Sequence, residues 1–216
     1  MSQLTILVGF HYQYELPGIV VDLFRVYTLM ARTSQVLVLT DIHPGDFLHP
    51  SLATGVTEGL YPATILDFVE DLLRAGRYRY VATGADLAVL GASLALEHRT
   101  IYFTGHSLAS GWVLPDGRVY GLENLLASYP QTWIFDCCHL KVRPLLRRLA
   151  HQRPVLCFTS SEVYTHASNA GSLFTMHLLT RLEAKATLDE LRVDPLMFVD
   201  STSRVDAHGH VWLERL

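Results

Sequence analysis

Short apolar runs alternate along the chain with stretches whose apolar residues recur every three to four positions. The runs at residues 4–10, 35–40, 100–104, 132–137, 155–159 and 196–199 crowd Val, Ile, Leu and aromatic side chains into a few positions. That is the pattern of strands buried on both faces, as in a parallel sheet. Helical spacing covers residues 19–31, 63–75, 122–128, 145–151 and 171–183. Pro62 suits the first turn of the second helix, and Gly76 suits its stop. Residues 41–61, with Pro44, Gly45, Pro50, Gly55 and Gly59, predict a long loop. Residues 78–98 fit either a hairpin insertion or a helix. The alternation predicts an α/β fold: a mostly parallel six-stranded sheet flanked by helices on both faces, in one domain over residues 1–216.

Composition narrows the class. Half of the 216 residues are apolar and only 18% are charged, below the quarter or so of ordinary globular chains, so the chain is not disordered. A formal net charge of −4 predicts no basic surface for nucleic acid. Three cysteines, two of them adjacent at Cys137 and Cys138, make no disulfide scaffold. No basic residue precedes the apolar start, and no apolar run spans a bilayer. A protein of the cytoplasm, with no membrane partner, is the expectation.

In parallel sheets, chemistry gathers at the carboxyl ends of strands. One apolar run ends Thr104-Gly105-His106-Ser107, another Asp136-Cys137-Cys138-His139. A cysteine beside a histidine is the minimal set for acyl transfer, since imidazole takes the thiol proton and thiolate attacks a carbonyl. Gly105 exposes a backbone amide to a developing oxyanion.

These strings resemble the caspase-like cysteine peptidases, most closely metacaspases and paracaspases. The family signatures are a strand ending Ser-Gly-His-Gly and another ending Asp-x-Cys-His-Ser-Gly. Leu16-Pro17-Gly18-Ile19-Val20-Val21-Asp22 is similar to the family's Leu-x-Gly-Cys-x-x-Asp. Ser160-Ser161-Glu162 followed by Gly171-Ser172-Leu173-Phe174-Thr175 resembles its small-subunit strand and helix start. The resemblance implies a caspase-like fold, large-subunit-like to about residue 140 and small-subunit-like from about 154. It implies Cys138 as nucleophile, His106 as general base and acid, and the amides of Gly105 and Cys138 as oxyanion hole. It further implies an S1 pocket of Asp22, Thr104 and Asp136 that takes Arg or Lys, so the partners would be peptides or proteins cut after a basic residue. Paired carboxylates in a desolvated pocket favour a guanidinium over neutral or acidic side chains. Metacaspases are typically monomers, and a monomer is expected here.

Several positions depart from the pattern. Ser107 replaces the glycine after the histidine, and Leu140-Lys141 replaces Ser-Gly. Apart from Asp136, the interval between His106 and Cys138 holds only Asp116 and Glu123. Calcium needs six to eight oxygen ligands, so no calcium or other cofactor is expected. Lys141, Arg143, Arg147, Arg148 and Arg153 carry no acid among them; a solvated basic helix face is the first reading of this segment, and self-processing sites are the second. Cys137, Cys138, His139 and Cys157 lack the spaced pairs of structural zinc, and no metal site is expected. The bland readings are a buried thiol for Cys137, and a capping or solvated acid for Asp22. A caspase-fold regulator without activity is the alternative to a peptidase.

Overall fold

Tertiary packing sorts the apolar runs into one sheet. The computed structural model describes residues 3–47, 49–51, 62–88, 90, 98–121, 132–138, 140, 156–160, 167–168, 171–186, 190–191 and 197–201. In chain order the strands begin with β1 (Gln3–Gly9), β2 (Gln35–Thr40), β3 (Tyr78–Tyr80) and β4 (His98–Thr104). The short β5 (Ser107–Leu108), β6 (Gly111–Val113) and β7 (Val119–Gly121) follow, then β8 (Thr132–Asp136) and β9 (Leu156–Ser160). The last are β10 (Ala167–Ser168), β11 (Gly171–Ser172) and β12 (Met197–Ser201). The helices are α1 (Ile19–Met30), α2 (Pro62–Arg74) and α3 (Leu173–Glu183).

Five parallel strands, β9-β8-β4-β1-β2, form the body of the sheet. The three-residue β3 extends the parallel order at one edge, and β12 runs antiparallel at the other. All six strands expected from the sequence are present within a residue or two of their predicted ends, but the sheet has seven. The extra strand, β3, lies in the segment read as hairpin or helix. Three residues give no detectable period, and β3 is held by its register with Val38–Thr40 instead.

The side-chain alternation of the strands separates two cores. Leu7, Val36, Val38, Tyr102 and Ile134 face α1, α2 and α3. Ile6, Val8, Ile101, Phe103, Trp133 and Phe135 face the other way, toward Trp112 and Leu114 beside β6 and toward Leu87 of a 3-10 turn (Gly84–Ala88). Among the described residues, then, the three α-helices share one face. Residues 122–128 and 145–151, where two more helices are expected, lie outside the described residues. On the second face the antiparallel meander β5–β6–β7 does the covering. The Trp112 ring stacks on Phe103 at 4.2 Å and 4° and meets Trp133 edge-on at 6.3 Å. Burying the two indoles removes apolar area worth roughly 2–3 kcal/mol each, offset by about 1–3 kcal/mol for each Nε1–H, which finds no partner among the described residues.

Local signals set the helix ends. Gly76, at φ +64°, ends α2 in a Schellman turn: Arg77 N–H donates to Leu72 C=O at 2.8 Å and Gly76 N–H to Leu73 C=O at 3.0 Å. Ser172 caps α3, its Oγ accepting from Phe174 N–H and Thr175 N–H at 3.1 and 3.4 Å. The meander relies on one close approach. Gly111 pairs with Gly121, and a Cβ at Gly111 would fall on the Tyr120 carbonyl oxygen. Gly111→Ala is expected to cost about 1–3 kcal/mol and lower the melting temperature by several degrees. Gly45→Ala, with nothing within 4 Å of its Cβ, should leave it unchanged. Equal melting temperatures for the two variants would remove the meander from the core.

Candidate functional site

Strands β4 and β8 are neighbours in register, Thr104 opposite Asp136. The chain continues from Thr104 through Gly105 to His106, and from Asp136 through Cys137 to Cys138, so both candidate reactive residues sit two positions beyond paired strand ends. Their loops touch: Ser107 Oγ–H donates to the Cys138 carbonyl oxygen.

His106 is held from three sides. Its N–H donates to Tyr12 Oη at 2.8 Å, and that hydroxyl donates to the Val113 carbonyl at 2.9 Å. The Tyr12 and His106 rings lie 4.7 Å apart at 33°. Glu15 Oε1 stands 3.3 Å from His106 Nε2, with the imidazole side chain 44% exposed. Nδ1 is the nitrogen this leaves for exchange with another group.

Tyr12 and Glu15 reach His106 from an unusual turn. Tyr12, Gln13 and Tyr14 all have left-handed backbone, φ 49°, 55° and 73°, a conformation that costs bulky residues of order 1 kcal/mol or more each. Asp41, at the end of β2, holds it in place. Its carboxylate accepts from His11 N–H at 2.7 Å and Tyr12 N–H at 2.9 Å, with His11 Nδ1 also 2.9 Å away. Without a glycine or asparagine in the turn, the sequence carries no signal for it.

The adjacent cysteines differ in surroundings. Cys137 is 7% exposed and belongs to the aromatic core of the second face. Burial pushes its thiol far up, a Ser107 hydrogen bond opposes this, and the neighbouring Asp136 and Cys138 add to the rise. It therefore stays protonated and unreactive. Cys138 is only half-buried.

Asp22, Thr104 and Asp136 converge on the helical side of the same strand ends. Asp22 is 1% and Asp136 6% exposed. Both oxygens of Asp22 accept from Ser172 N–H, at 2.9 and 3.0 Å. Gly171 permits this approach: its φ is +98°, and a Cβ there would come within 2.6 Å of Asp22 Oδ1. Thr175 Oγ1–H donates to Asp136 Oδ2 at 2.6 Å, which leaves Tyr102 Oη–H to donate to Thr175 Oγ1 at 2.7 Å. Thr104 also hydrogen-bonds Tyr102. Burial raises the Asp136 carboxyl to about 6 against the pull of these hydroxyls. Burial and the Asp136 charge raise Asp22 as well, while Ser172 N–H and the nearby Arg25 pull it down.

The oxyanion arrangement expected at Gly105 meets a competitor. Gly105 N–H is directed at the Asp136 carbonyl at 3.4 Å, a long bond that an oxyanion would have to displace. Lys141, Arg143, Arg147, Arg148, Arg153 and His139 lie outside the described residues. Reading the sequence alone misses Tyr12, Glu15 and Tyr102 as parts of the site, since nothing in their local pattern marks them. Among the described residues, no helix is long and apolar enough to cross a membrane. No protein-family model matches the chain, and no curated protein matches it significantly.

Proposed function

We propose that the chain is a cysteine endopeptidase of metacaspase type, with a caspase-like fold, that cleaves after Arg or Lys. The observation that carries this reading is that the loops bearing His106 and half-buried Cys138 touch at the ends of two paired strands, beside the buried acids Asp22 and Asp136. His106 takes the Cys138 proton, and the thiolate adds to the carbonyl carbon. The C–N bond then breaks as the amine leaves with the proton from imidazolium, and water, deprotonated by His106, releases the acid from the thioester. The acid pair supports basic selectivity. Burial is the main cause that raises both carboxyls, and Arg25 offsets part of the rise at Asp22; a guanidinium or ammonium brought beside the pair would offset the remaining cost of holding them ionised. Under this reading the protein works as a cytoplasmic monomer without calcium, and the basic segment at residues 141–153 is where it would cut itself.

The non-catalytic alternative draws on one observation, the engagement of Gly105 N–H by Asp136. Fluorogenic peptides differing only in Arg, Lys or Asp before the scissile bond, offered with and without calcium, decide between them. The expected result is hydrolysis of the Arg and Lys peptides at least about a hundredfold faster than Asp, as loss of a buried charge pair implies. No hydrolysis by demonstrably folded protein would leave the regulator.

A further inference from the structure

A second concave surface lies at the carboxyl ends of β1, β2 and β3, joined to His106 through Tyr12. There a cavity of about 330 Å³ opens between the left-handed turn, the end of β2 and the loop joining β6 to β7. Its walls are aromatic. Tyr80 and His43 stack at 4.0 Å and 11°, and Tyr14 stacks on His49 at 4.3 Å and 14°. Its charge is acidic: Asp46 and Asp116 line it with Asp41, and no Lys or Arg does among the described residues.

The three acids have different duties. Asp41 is occupied in holding the turn. Asp116 accepts from Arg118 N–H at 3.0 Å through Oδ1, and its Oδ2 lies 3.8 Å from the exposed Arg118 Nε. Among the described residues nothing hydrogen-bonds or ion-pairs with the half-buried Asp46 side chain. Flat π faces next to carboxylates, in a concave site, are the chemistry that selects an organic cation over a hydrated metal ion. We infer that this cavity binds the guanidinium or ammonium group of a basic peptide side chain, distinct from the one read by Asp22 and Asp136. The strained turn supports this use. It costs several kcal/mol in the left-handed region, and its effect is to place the Tyr14 ring in the wall while Tyr12 bridges the cavity to His106. A peptide lying across His106 would thus offer one basic residue to the acid pair and a second to the cavity. That last link rests on the peptidase reading; the binding itself does not.

The experiment separates the two. Agmatine, a guanidinium and an ammonium on one four-carbon chain, and acetyl-Arg-Ala-Arg amide are each titrated into Cys138→Ala protein, followed at the Tyr14 and Tyr80 ring resonances. Saturable shifts are expected, tighter for the peptide, and weakened about fivefold by Asp46→Asn, Asp116→Asn or Tyr80→Leu. The exposed Asp71→Asn on α2 should change nothing. No shift with either probe, or shifts indifferent to all three cavity variants, overturns the site. Agmatine binding as tightly as the peptide overturns the assignment to a peptide side chain. Cavity binding by a protein that cleaves no peptide leaves this site standing and removes the peptidase.

Discussion

Cys138→Ala should lower cleavage of an Arg peptide by at least about a thousandfold, while Cys137→Ala, one position away, retains most of it. Removal of a covalent nucleophile takes away the acyl-enzyme route altogether, and what remains is positioning and electrostatics. The contrast with Cys137 is tertiary in origin. Cys137 continues the β8 alternation into the aromatic core beside Trp112 and Phe135, where burial keeps its thiol protonated. Cys138, the next residue, lies beyond the strand end and is half-buried. Truncating Cys137 removes one buried sulfur, a stability loss of about 1 kcal/mol. Steady-state kinetics with thermal melts of both variants checks this. Activity that survives in Cys138→Ala, or vanishes in folded Cys137→Ala, refutes the assignment.

Asp136→Asn should make the protein more stable at pH 8 while removing the selectivity for basic residues proposed above. The folded carboxyl titrates at about 6, against about 3.9 in an unfolded chain. Between those values the folded state holds the proton and the unfolded state has released it. Stability is therefore full below about pH 4, falls as pH rises toward 6, and stays reduced above. About two units correspond to roughly 3 kcal/mol, and Asp22 shifts in the same direction. Asparagine keeps an acceptor for Thr175 Oγ1–H and carries no charge to desolvate. The wild-type melting temperature should drop across this pH window, with the variant's curve flatter and roughly 5–10 °C higher at pH 8. Parallel curves would show that the carboxyl is relieved in a way its surroundings do not suggest. Stability sacrificed to hold a charge for a ligand is the usual trade at a binding site.

Much of the fold was legible because sheet and helix periods are local. Six strands, three described helices, the Gly76 stop and the candidate reactive residues at two strand ends all follow from runs of a few neighbouring residues. The three-residue β3 and the meander β5–β7 were not legible, being too short to carry a period and held by pairing partners instead. Nor was the sidedness of the helices, because an amphipathic stripe says that a helix covers a face and not which one.

The candidate site divides along the same line. The order of residues alone marks His106 and Cys138, since strand-then-turn is a local pattern and their chemistry is intrinsic. It also supplies Asp22, Thr104 and Asp136 as candidates. Only the tertiary structure decides that both acids are buried together under Ser172 and Thr175, that Cys137 is sealed while Cys138 is not, and that Tyr12 and Glu15 from a strained turn meet His106. Each depends on strand register and on packing between residues remote in the chain. Burial, desolvation and charge coupling exist only once those residues have been brought together.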